Sequence, residues 1–123
     1  MQLGNAAAAA SLFGPAMADA PYEAVQVAFL DRELRLIEVT RSGGGPASAP
    51  LPVRTIIADA LRHDAAGMIL AHNHPSGDPE PSRADLAETR QLGQAAAAVG
   101  VRLYDHLIFA GGECRSLRAL GLL

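Results

Sequence analysis

The sequence predicts an α/β domain of the α+β-like kind, a mixed β-sheet with flanking helices. Three patterns predict it. Apolar residues alternate with polar or small ones over 22–30 and 34–39, and a further strand-like stretch covers 101–110. Apolar residues recur at helical spacing over 53–61, and a second helical pattern covers 82–99. Between these helices lies 67–72, a short apolar run that reads as a buried strand.

In chain order, residues 6–13 read as an Ala-rich, partly frayed helix ended by Gly14-Pro15. Small residues at 16–20 look like a secretory cleavage site. No Lys or Arg precedes Arg32, however, so the cationic start of a signal peptide is missing. In strand 22–30, Glu23, Val25, Val27 and Phe29 share one face, and Ala24, Gln26, Ala28 and Leu30 share the other. Asp31-Arg32-Glu33 turns the chain into strand 34–39, suggesting a hairpin. Residues 41–50, with three consecutive glycines and two prolines, read as a flexible surface loop. From Pro52 the period changes. Val53, Ile56, Ile57, Ala60 and Leu61 fall on one side of a helix that has Pro near its start. After strand 67–72 and the loop that follows it, helix 82–99 is closed by Gly100. Strand 101–110 then turns at Gly111-Gly112 into 113–117, and the tail 118–123 is expected to cap the core. Neither an internal repeat nor a second domain is expected from these 123 residues.

A chain of 123 residues is large enough to bury a core without cross-links. All ten basic residues are Arg. Together with the abundant Ala, Gly and Pro, this points to a GC-rich genome rather than to a physical need. The net charge of −3 provides no global attraction to nucleic acid or to an anionic membrane. A single Cys114, expected to be a minor packing residue, excludes an internal disulfide and any Cys-based zinc cluster. It fits a reduced, cytoplasmic setting. No apolar run approaches the roughly 18 residues that cross a bilayer.

The stretch His72-Asn73-His74-Pro75-Ser76-Gly77-Asp78-Pro79-Glu80-Pro81-Ser82-Arg83-Ala84-Asp85 stands apart. Its three prolines and one glycine exclude helix and central strand. If the extended geometry of 67–72 continues past its end, His72 and His74 point the same way. Asp85 arrives on the first turn of the next helix. Two imidazoles and a carboxylate converging there can make three ligands of a zinc site and leave a fourth position for water, the catalytic pattern. The bland alternatives are a hydrogen-bonded core histidine and, for Ser82-x-x-Asp85, a capping box. Asn73 is expected to face away from its neighbours and to be structural. The letters His-Asn-His do not indicate the nuclease class of that name, whose residues are spread over a much longer unit.

This string, His72-x-His74-Pro75, six residues, Ser82, two residues, Asp85, resembles the signature of the JAMM (MPN-plus, JAB) metallopeptidases. The longer string resembles their bacterial RadC branch, labelled DNA repair proteins by history. The resemblance runs from about Glu23 to the C-terminus. It implies a cytidine-deaminase-like JAB/MPN fold for 22–123, while the residues themselves read 1–21 as an Ala-rich leader or helix. It implies Zn2+ held by His72, His74 and Asp85, with catalytic roles for Glu23 and Ser82. Glu23 matches the glutamate that begins the first strand and would serve as general base. The bland alternative for it is a solvated acid at a strand start. Ser82 matches the serine that helps hold the developing oxyanion, a role compatible with capping the helix. Asp105-His106 also matches an Asp-His of the family. Only one of the two can face the site, to orient a ligand or to be structural, and direct metal binding is not expected of either. His63, on the polar side of its helix, is expected to be solvated.

Some features depart from the family. Relatives carry an N-terminal DNA-binding helix-hairpin-helix region where this chain has its Ala-rich stretch. Pro52-Val53-Arg54-Thr55 replaces the usual His-Pro-Arg-Glu, and the glycine-rich loop before it is atypical. Three functions compete on this reading. The leading one is a zinc-dependent hydrolase of a peptide or isopeptide bond in an unidentified peptide or protein substrate. The second is a non-catalytic metal-binding interaction module associated with DNA repair. The third, direct action on nucleic acid, is disfavoured by the absence of a basic run and the scarcity of aromatics. Little or no direct DNA binding and no membrane contact are expected, and a homodimer is left open.

Overall fold

The computed structural model describes residues 2–17, 22–43 and 51–123. Its elements are α1 (Ala6–Met17), β1 (Ala24–Leu30), β2 (Leu36–Gly43), α2 (Val53–Arg62), β3 (Gly67–Asn73), α3 (Arg83–Ala98), β4 (Arg102–Ala110) and β5 (Glu113–Ser116). The five strands form one sheet in the order β2-β1-β3-β4-β5. Only β3 and β4 pair in parallel, joined by α3 as the crossover; the other pairs are antiparallel. The mixed sheet with flanking helices is therefore as the sequence predicts.

Strand β3 lies at the centre and is buried along its whole length. Its alternation divides the core in two. Ile69 and Ala71 face α1, in a cluster with Phe13, Met17, Leu30 and Leu107. Met68 and Leu70 face the other helices, in a cluster with Phe29, Ile56, Ala60, Leu92 and Ala96. At the start of β3, a Cβ on Gly67 would lie 2.2 Å from the Tyr104 ring, so only glycine fits under that ring.

Several elements depart from their expected limits. Helix α1 runs through Gly14-Pro15 instead of ending there. Phe13 and Met17, one turn apart, are both fully buried against the sheet. Burying two such side chains contributes about 1.5–3 kcal/mol each, enough to offset the roughly 3 kcal/mol that an interior proline costs a helix. Strand β2 extends into the expected loop, to Gly43, because the antiparallel ladder of β1 runs from Leu30↔Leu36 to Ala24↔Gly43. The Asp31 carboxylate tightens the preceding turn by accepting the N–H groups of Glu33 and Arg35. The remainder of the expected loop, 44–50, and the small residues 18–20 lie outside the described residues.

The C-terminal tail does not cap the core. Leu117 is buried, but Leu120, Leu122 and Leu123 are each nearly half exposed. His63 is not solvated on the outside of α2; it stacks on Phe29 with ring centroids 5.7 Å apart. Cys114 is exposed rather than packed. Among the described residues, no helix is long and apolar enough to cross a membrane.

Candidate metal centre

The candidate centre forms where the apolar pattern of β3 gives way. Residues Met68 and Leu70 belong to the core beneath α2 and α3, and the next two positions on that face are His72 and His74. His74 lies just past the strand, yet its N–H donates to Phe109 C=O at 2.9 Å, prolonging the ladder by one rung. That rung keeps both imidazoles on one face. Across the antiparallel pair, Val25 is opposite His72. Continuing this register sets Glu23 opposite His74. From above, α3 presents Asp85, Thr89, Leu92 and Ala96, a stripe at helical spacing whose first two members are polar.

Glu23, His72, His74 and Asp85 offer ligand atoms that all lie within 4.8 Å of one another. His72 Nε2 is 2.8 Å from His74 Nε2 and 3.3 Å from Asp85 Oδ1. His74 Nε2 is 3.1 Å from Asp85 Oδ2, and Glu23 Oε1 is 3.9 Å from His72 Nε2. Tetrahedral zinc, with bonds of about 2.0–2.2 Å, separates its ligand atoms by about 3.3 Å. Two histidines and a carboxylate are also a usual zinc donor set. The ring nitrogen His74 Nδ1 lies 2.8 Å from Asp78 C=O, which can only accept, so the ring donates there and its Nε2 lone pair faces the cluster. These residues fit a divalent metal such as zinc.

Asp85 does two jobs that the sequence sets against each other. Ser82 is the N-cap of α3; its side chain accepts the Asp85 N–H at 3.0 Å while Asp85 Oδ2 accepts the Ser82 N–H at 2.8 Å. A carboxylate has about four acceptor sites, so this capping box leaves Asp85 oxygen lone pairs free for a metal ion. Burial alone would raise the Asp85 carboxyl. The protonated form of His72, by hydrogen bond and charge, and the hydrogen bonds from Ser82 outweigh that and hold it well below the usual carboxylate range.

Asn73 points away from the imidazoles and clamps the entry to β1. Its Oδ1 accepts the Ala24 N–H at 2.7 Å and its Nδ2 donates to Tyr22 C=O at 3.0 Å, so it grips the backbone on both sides of Glu23. The Glu23 side chain remains 40 % exposed at the mouth of the site. Glu23, His72, His74, Ser82, Asp85, Glu88 and His106 line one cleft of about 280 Å³.

Of Asp105 and His106, it is His106 that faces the site. The ladder skips from Met68↔Leu103 to Ile69↔Asp105, leaving Tyr104 as a bulge, so His106 comes opposite Leu70. His106 Nε2 lies 2.6 Å from His72 Nδ1, and its Nδ1 lies 2.6 Å from Thr89 Oγ1. Burial, and after it the positive charge that His72 carries when protonated, push His106 down to about 3, against an opposing pull from Asp85. Asp105 turns to the other side and accepts from Ser116 Oγ and from the N–H groups of His106 and Arg118. Sequence reasoning missed Thr89, although its place one turn after Asp85 was the available signal.

The model of the RadC-like JAB domain family matches residues 3–122. Among relatives, a UPF0758 protein of Rhodobacter capsulatus is 47% identical over 109 residues, 88% of this chain and 51% of the relative. One from Bordetella petrii is 46% identical over 114 residues, 90% of this chain and 50% of the relative. One from Salinibacter ruber is 40% identical over 124 residues, covering 100% of this chain and 53% of its own. The chain thus spans about half the length of the relatives it matches. With a matching family model over nearly its whole length and a mixed sheet that carries a Glu-His-His-Asp cluster, the chain belongs to the RadC-like JAB domain family.

Proposed function

We propose that this domain is a zinc-dependent hydrolase acting on a peptide or isopeptide bond in a protein substrate. The observation that carries the proposal is the position of Glu23. Its carboxylate shares the cleft with three other candidate ligands and lies 3.9 Å from His72 Nε2, while half-exposed toward incoming substrate. A purely structural site is closed by four ligands, whereas three ligands beside an acid–base group suit turnover.

His72, His74 and Asp85 would hold the zinc. When bound, zinc supplies Lewis acidity that polarises a carbonyl and eases deprotonation of water. Glu23 takes the proton of the attacking water on its carboxylate and returns it to the leaving amine. Ser82, at the rim of the cleft, donates its O–H to the developing oxyanion. Capping does not forbid this, because a hydroxyl can accept and donate together. The partner is a peptide or protein rather than DNA, since a chain of net charge −3 neutralises few phosphates.

The test is turnover of a panel of synthetic peptides and isopeptides by the zinc-loaded domain and by Glu23→Gln. The substitution keeps the size of the side chain but cannot take the proton. Turnover is expected to fall about 10²–10⁴-fold with zinc still bound. Full activity in Glu23→Gln would remove Glu23 as the base. A zinc-loaded wild-type domain inactive on the whole panel would favour a binding module.

A further inference from the structure

The Thr89 hydroxyl makes contacts that leave its proton only one direction. Its Oγ1 lies 2.6 Å from the main-chain oxygen of Asp85 and 2.6 Å from His106 Nδ1. A carbonyl oxygen can only accept, and a hydroxyl has a single proton to donate. Two acceptors facing each other at that distance would repel, so the Thr89 O–H goes to Asp85 C=O. His106 Nδ1 must then carry a proton and donate it to Thr89 Oγ1.

The consequence passes through the ring. His106 is 3% exposed, and its neighbouring carboxylate, Asp105, turns to the opposite side of the sheet. A ring this deeply buried, with an imidazole rather than a carboxylate against its Nε2, is neutral, so His106 Nε2 is an acceptor. It lies 2.6 Å from His72 Nδ1, which must therefore be the N–H. A neutral His72 with its proton on Nδ1 has its lone pair on Nε2, 2.8 Å from His74 Nε2 and 3.3 Å from Asp85 Oδ1, a convergence of acceptors that repels unless a cation lies between them.

We propose that Thr89 and His106 are positioning residues that hold His72 in the Nδ1–H tautomer, aiming its Nε2 lone pair into the ligand cluster. The inference rests on the metal-site reading for its purpose, not for its geometry. The chain begins and ends on one ligand residue each: the Asp85 main chain at one end, the His72 ring at the other. Thr89 and Asp85 are one turn apart on α3, so the helix that brings the carboxylate also sets the proton on the imidazole. Partners that fix the tautomer of a metal-binding histidine are typically worth about 10–100-fold in metal affinity.

The direct test is the nitrogen-15 spectrum of the imidazole rings in zinc-free protein at mildly alkaline pH, where each neutral tautomer has a distinct pattern. In the wild type, His72 and His106 are both expected with the proton on Nδ1. Thr89→Val keeps the shape but removes the hydroxyl; His106 and His72 should then populate both tautomers, and zinc affinity should fall about 10–100-fold. Thr89→Ser should restore both readouts. A wild-type spectrum with the proton on Nε2 of either ring overturns the relay without recourse to any variant. So does a folded Thr89→Val domain with unchanged tautomers and wild-type zinc affinity. The wild-type outcomes also separate the two claims: the expected tautomers in a domain that binds no zinc would leave the relay and remove the metal centre, while tight zinc binding with reversed tautomers would do the opposite.

Discussion

The two faces of β3 use the same strand for different ends. Toward α1 it contributes Ile69 and Ala71 to a core closed by Phe13, Met17, Leu30 and Leu107. Toward α2 and α3 it contributes Met68 and Leu70, then His72, with His74 just beyond, as apolar packing gives way to the ligand cluster. The difference is one of position along a single face, not of fold. Beneath the middle of α3, Leu92 and Ala96 keep the sheet dry; at its first turns, Asp85 and Thr89 meet imidazoles. Stability and chemistry therefore share a backbone but draw on different side chains. Substitutions in the dry part should cost stability, and those at the polar end should cost metal or turnover.

The largest effect should come from the dry part. Phe29 is fully buried next to Met68, Leu70 and Ile56 in the same cluster. Phe29→Ala should destabilise the domain by about 3–5 kcal/mol in chemical denaturation. A loss below 1 kcal/mol would mean that this half of the core does not carry the fold.

The polar end should betray itself by pH. His106 is held at about 3 against an ordinary 6.5, so the folded zinc-free domain resists a proton that the unfolded chain accepts. Its contribution is complete above pH 6.5 and is lost progressively as pH falls toward 3. For one ring this amounts to at most about 2 kcal/mol between pH 7 and pH 5. Asp85, whose pKa is depressed below the usual carboxylate range, adds its own loss only at lower pH. Denaturation of the zinc-free domain at the two pH values should show the decline, and His106→Gln should reduce it. A domain that grows more stable on acidification to pH 5 would contradict the burial of a neutral His106.

A smaller effect is expected at Ser82, where the two roles meet. Ser82→Ala removes the cap of α3 and should cost about 1 kcal/mol in stability. It should leave zinc bound, since Asp85 keeps its carboxylate and Oδ2 still accepts the residue-82 N–H. If turnover falls with no more than the capping loss in stability, the hydroxyl acts on substrate as well. An unchanged rate would reduce Ser82 to a cap.

Legibility followed sequence distance. The string from His72 to Asp85 could be read because strand end, loop and helix start are contiguous and their spacing is local. The face shared by Glu23, Val25, Val27 and Phe29 was legible from alternation, but its placement beside His74 depends on the register of β1 against β3. His106 was not separable from Asp105, because the bulge at Tyr104 decides which of the two turns inward. The end of α1 was misread for a related reason. Gly14-Pro15 is a local stop signal, and the burial of Phe13 and Met17 on the sheet overrides it. The exposed leucines of the tail were misread because hydrophobicity alone does not say whether a surface remains to be covered.

The central claim is that His72, His74 and Asp85 hold a metal ion that Glu23 works beside. Its most direct measurement is the zinc bound per chain, by elemental analysis after saturation and exhaustive removal of free metal, in wild type, His74→Ala and Glu23→Gln. A single zinc per wild-type chain is expected, lost in His74→Ala and retained in Glu23→Gln. Both variants should still melt cooperatively, because the apolar clusters on the two faces of the sheet do not depend on the site. Wild-type zinc content in a folded His74→Ala domain, or no zinc in the wild type, would contradict the account.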